Sequence, residues 1–81
     1  MREFVATFHT HLAALRSCNA LKKAGIPDAR LAPVPRKLSS SCGTCVRFLA
    51  EGPNLDAMDE DVEAVYEKIT GDDYIQLMEN E

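Results

Sequence analysis

Tryptophan is absent from this 81-residue chain, and the aromatic residues are few: Phe4, Phe8, Phe48, Tyr66 and Tyr74. Basic residues are also scarce, nine against thirteen acidic ones, which leaves a net charge of -4. Together these shortages argue against nucleic-acid binding, which needs a basic field over phosphate and, for single strands, interleaved stacking aromatics. Arg30, Arg36, Lys37 and Arg47 are too few to make such a field. No apolar run reaches the ~20 residues of a membrane-spanning helix, so no membrane association is expected. Met1 to Leu15 lacks both a continuous hydrophobic stretch and a small-residue cleavage pattern, so a signal peptide is not expected and a cytoplasmic location is. Cysteines number three, an odd count and too few for a secreted disulfide scaffold. There is no phosphate-cradling glycine loop and no arguable Ser-His-acid arrangement. The length fits one domain over residues 1–81, burying only ~60% of its extended-chain surface. A core of that size does not suit a large cofactor pocket, and no cofactor is expected.

What is present begins with an alternating run, Glu3 to Phe8, that reads as a strand. Thr10 offers an N-cap hydroxyl to a helix over Leu12 to Ala24, closed by Lys22, Lys23 and Gly25 and stopped by Pro27. Ala29 to Val34 reads as a strand that Pro33 and Pro35 confine to an edge. Arg36 to Gly43 is a polar loop, Thr44 to Leu49 a third strand, and Gly52-Pro53-Asn54 a turn. Leu55, Met58, Val62, Val65, Tyr66 and Ile69 follow one helical stripe, with acids loading its first half and Gly71 ending it. Tyr74 to Met78 is a final strand. The expected fold is therefore α+β: a ferredoxin-like βαββαβ two-layer sandwich, an antiparallel sheet with two helices on one face.

The segment Ser39-Ser40-Ser41-Cys42-Gly43-Thr44-Cys45 carries the most specific chemistry. A Cys-x-x-Cys pair serves as a redox disulfide, as half of a zinc site, or as a reactive thiol with a resolving partner. In the expected topology the first and third strands are antiparallel neighbours. The Cys42 loop then approaches Phe8, His9 and Thr10 at the positive N-terminus of the first helix, where a thiolate is favoured. Arg36, Lys37 and Arg47 add positive potential, and His9 or His11 is a candidate base or ligand if it reaches Cys42. Two histidines one residue apart cannot both point the same way on a strand, and no metal site is assigned. Cys18 falls on the buried face of the first helix and reads as core.

Several segments together resemble a small bacterial family of selenium/sulfur carrier-like proteins. They are Phe4-Val5-Ala6-Thr7-Phe8-His9-Thr10, Lys23-Ala24-Gly25-Ile26-Pro27, Leu31-Ala32-Pro33-Val34-Pro35-Arg36, Ser39-Ser40-Ser41-Cys42-Gly43 and Val46-Arg47-Phe48. The resemblance implies a carrier cysteine that holds a persulfide or selenium adduct, similar in concept to TusA-like sulfur-relay carriers. It places that carrier at Cys42. Cys45 departs from the family pattern and introduces a second thiol that could resolve a persulfide.

The expectation is a non-enzymatic carrier, with a cysteine desulfurase-type donor and a sulfur or selenium acceptor protein as partners. Cys42 and Cys45 are the reactive candidates, and Gly43, His9, Thr10 and Arg36 the surrounding binding residues. Two alternatives stay open: a dithiol redox module using Cys42 and Cys45, and a non-catalytic metal- or partner-binding module.

Overall fold

The computed structural model describes residues 1–71 and 73–80. Among them the chain forms strand β1 (Arg2–Phe8), helix α1 (His11–Lys23), strands β2 (Arg30–Pro33) and β3 (Thr44–Ala50), a 3-10 turn (Leu55–Ala57), and strands β4 (Val62–Lys68) and β5 (Tyr74–Glu79). The five strands make one antiparallel sheet in the order β2-β3-β1-β4-β5. β1 lies at the centre because it is apolar on both sides, as a strand buried on two faces must be. Phe4, Ala6 and Phe8 join Ala13, Ala14, Cys18 and Leu21 of α1 in the core, while Val5 and Thr7 turn to the opposite face, and these five of the seven β1 residues are fully buried. The Phe4 and Phe48 rings stack across β1 and β3, centroids 5.3 Å apart.

Local sequence fixes both ends of α1. The Thr10 hydroxyl accepts a hydrogen bond from the Ala13 amide at 3.1 Å, satisfying a donor that the helix itself leaves free. At the other end Gly25 adopts φ +97°, its amide bonds the Lys22 carbonyl, and the Ile26 amide bonds the Leu21 carbonyl. That left-handed exit, with Ile26 buried behind it, turns the chain back toward β2.

The fold is not the expected ferredoxin-like βαββαβ sandwich, because the second helix does not form. Among the described residues α1 is the one α-helix, and the segment expected to be helical holds the short 3-10 turn followed by β4. The reason lies in a β-bulge. Thr7 pairs with Ala64 but Phe8 pairs with Val62, so Glu63 is an extra residue on β4. The insertion puts Val62 and Val65, three residues apart, on the same core-facing side. A period-2 strand interrupted this way imitates the three-to-four spacing of a helix. Leu55 and Ile69 complete the stripe in sequence but are exposed in the structure. Gly71, expected to end a helix, instead sits in the turn between β4 and β5 with φ +53°. β4 then occupies the free side of β1, and β5 extends the sheet as a hairpin edge.

With one helix covering one face, the other face is shielded differently. The connection 34–43 between β2 and β3 folds across it. Pro35, Arg36 and Lys37 stand against Arg47, Lys68 and Tyr74, and Lys37 Nζ lies 3.5 Å from Asp73 near the β4–β5 turn. The same connection ends in the Cys42 loop.

Candidate functional site

The Cys42 loop is anchored from two sides. Toward β1, the Ser40 hydroxyl donates to the Phe8 carbonyl at 3.0 Å. Toward β4, the Ser41 amide and hydroxyl both donate to the Glu63 carboxylate, at 3.2 and 3.0 Å. Glu63 is the bulged residue, and the bulge aims its side chain at the loop. The loop returns to the sheet through Gly43, whose carbonyl accepts from the Val34 amide at 3.2 Å and whose φ of +74° favours glycine. Among the described residues no heavy atom beyond its chain neighbours lies within 4 Å of where a Gly43 Cβ would stand, so it is backbone conformation that favours glycine there.

Cys42 itself is partly exposed and packs against the helix-side core. Its Sγ donates to the Thr44 carbonyl at 3.4 Å and stands 3.9 Å from Ser40 Oγ. The loop does reach the junction of β1 and α1, where His11 Nδ1 lies 3.3 Å from Thr44 Oγ1. The thiol, however, turns toward Ser40 and Thr44, and the Thr10 hydroxyl is engaged as the helix cap.

His9 Nδ1 lies 3.7 Å from Glu63 Oε2, so it touches the site through the carboxylate that holds Ser41. His9, His11, Cys42 and Cys45 do not converge, and among the described residues no three His, Cys, Asp or Glu side chains gather as metal ligands would. Arg36 lines the hollow on the second face, whose walls do not include Cys42.

Cys45 belongs to the other side of the sheet. It pairs with Thr7 in register, is fully buried, and its Sγ donates to the Pro33 carbonyl at 3.6 Å. Burial pushes its thiol above the ordinary value, and the nearby Arg47 and Arg30 guanidiniums only partly oppose this. At neutral pH Cys45 is therefore protonated. A raised pKa means that the folded state holds this proton after the unfolded chain has lost it. The associated stability is complete below the unfolded thiol value near 9.0 and is lost as pH rises through the folded one. Urea unfolding of wild type and Cys45→Ala from pH 7 to 10.5 will show a steeper alkaline loss in wild type. Parallel curves would contradict it.

Ser40, Ser41, Thr44 and Glu63 hold the loop, and none of them is among the site residues expected from the sequence. The serines are visible in the sequence as a polar run before Cys42, whereas Glu63 counts there among the acids that load the first half of the expected second helix.

Among the described residues no helix is long and apolar enough to cross a membrane. No curated protein and no solved structure matches the chain. A family model does match it over residues 3–70, a span that contains β1 from Glu3 onward, α1, the entire Cys42 loop and β4. The chain belongs to the family described as "Putative Se/S carrier protein-like".

Proposed function

We propose that this protein carries a sulfane sulfur, or its selenium counterpart, on Cys42. The observation that carries the reading is the contrast among the three thiols. Cys18 and Cys45 are buried, whereas Cys42 is partly exposed on a loop that Ser40 and Ser41 tie to β1 and β4. Membership of the carrier-like family supports the same assignment.

In the uptake step the Cys42 thiol loses its proton to solvent and the thiolate attacks the outer sulfur of a donor persulfide. A new S–S bond forms on Cys42 as the donor's S–S bond breaks, and the donor leaves as a thiolate. Delivery reverses the polarity: an acceptor nucleophile attacks the outer sulfur and Cys42 leaves as thiolate. No net oxidant is needed, because the sulfane sulfur moves between thiols without changing its oxidation level. The partners are a cysteine desulfurase-type donor and a sulfur or selenium acceptor protein, in a reducing cytoplasmic setting where thiols persist. A protein of this kind is a carrier rather than an enzyme. Cys45, turned to the far side of the sheet, has to leave its burial before it can resolve the adduct, which favours a carrier over a dithiol couple.

Intact-mass spectrometry after incubation with cysteine and a cysteine desulfurase tests this. Wild type and Cys45→Ala gain one sulfur, and Cys42→Ala gains none. Loss of two hydrogens in wild type, with no added sulfur, would replace the carrier reading with a dithiol one.

A further inference from the structure

The second face of the sheet holds a hollow that carrier chemistry does not use. Its lining is Pro35, Arg36, Lys37, Arg47, Lys68 and Tyr74, and its volume is about 280 Å³. Four of the nine basic side chains of a net-acidic protein surround this one place. Two acids offset them: Glu3 binds Arg47 at 2.8 Å and Asp73 lies 3.5 Å from Lys37. Among the described residues Arg36 and Lys68 have no carboxylate within ion-pair distance, so the hollow keeps a formal surplus of two positive charges.

Two further features make this more than a basic surface. Arg47 gives Nη2 to Glu3, but its buried Nε has no acceptor among the described residues, which is costly for a charged donor. Beside it, Arg30 stands directly opposite Arg47 in the β2–β3 register, a like-charge pairing that the single Glu3 carboxylate on Arg47 offsets only in part. The walls come from three separate parts of the chain, namely the 34–43 connection, β3, and the β4–β5 hairpin. The tyrosine supplies a neutral hydroxyl among the cations.

We infer that this hollow binds a doubly charged oxyanion of the phosphate class, held by Arg36, Arg47 and Lys68 with Lys37 and Tyr74 at its rim. Guanidinium and ammonium groups lining one hollow suit a tetrahedral dianion, with arginine giving geometry and lysine a point charge. The volume exceeds that of a bare phosphate, so a small phosphomonoester also fits. Free phosphate and an ester share the same recognition chemistry, and the test separates them.

Isothermal titration of the intact protein with inorganic phosphate, and separately with glycerol phosphate, in low salt reads the site directly. Saturable binding with one site per chain is expected. It weakens as sodium chloride rises and falls at least about tenfold in the Arg36→Gln/Lys68→Gln double variant, the loss of a charge-assisted contact. Tighter binding of the ester would assign an organic phosphate, and equal or tighter binding of phosphate the free anion. Both substituted side chains are at least partly exposed, and circular dichroism of the double variant checks its fold. Cys42→Ala binds phosphate as wild type does, so this result is independent of sulfur loading. No saturable heat with either ligand, or heat that the double variant retains in full, would overturn the inference.

Discussion

In the native protein Cys42 will react with iodoacetamide at least about a hundredfold faster than Cys18 or Cys45. Cys18 is 4% exposed and Cys45 is not exposed at all. Each must wait for an opening of the structure, and an opening that costs about 3 kcal/mol leaves the thiol accessible roughly one part in a hundred of the time. Cys42 needs no such opening. Time-resolved mass spectrometry in native buffer will therefore show a single alkylation before any second one, and urea will bring all three cysteines to similar rates. Equal native rates would mean that the sheet and α1 do not protect the other two thiols.

Phe48→Ala will cost about 3–5 kcal/mol, the usual range for deleting a large buried aromatic. Phe48 is fully buried on β3 and stacks on Phe4 of the central strand, so its loss opens a cavity that rigid strands cannot refill. A chain of this size has roughly 4–12 kcal/mol of stability in all, so the substitution removes a large share of it. Urea titration measures the loss. The alkylation experiment reports it independently, because the protection of Cys18 and Cys45 shrinks as opening becomes cheaper. A loss below about 1 kcal/mol would contradict the central place given to the Phe4–Phe48 pair.

The two predictions rest on different parts of the chain, and those parts were not equally readable in the sequence. β1, α1 and β3 announced themselves through alternation at Phe4, Ala6 and Phe8, the Thr10 cap, the Gly25 exit and the Thr44–Leu49 run. These are local signals, and the structure uses them locally. β4 was misread because one inserted residue, Glu63, places Val62 and Val65 on a common face at a helix-like interval. Nothing within the segment itself reveals that insertion, since a bulge is defined by the partner strand.

The same dependence hid half of the Cys42 site. The cysteine stood out beside its serines and glycine, but Ser41 finds Glu63 only because β4 pairs with β1. The sequence suggests Arg36 as a source of positive potential at Cys42. The 34–43 connection separates them by folding across the second face of the sheet, where Arg36 meets Arg47 and Lys68 instead. Cys45, three residues from Cys42, was paired with it on spacing alone. The pleat of β3 turns it to the side occupied by Thr7. Spacing placed the thiols near each other along the chain, and strand geometry decides which of them a partner protein can reach.

The most direct measurement is the location of the transferred sulfur within the loaded wild-type chain. After exposure to cysteine and a desulfurase, the persulfide is trapped by alkylation and peptide 38–47, which holds both Cys42 and Cys45, is fragmented. One added sulfur on Cys42 is expected, released by reductant, with Cys45 and Cys18 unmodified. Sulfur found on Cys45 or Cys18, or a Cys42–Cys45 disulfide with no added sulfur, would contradict it.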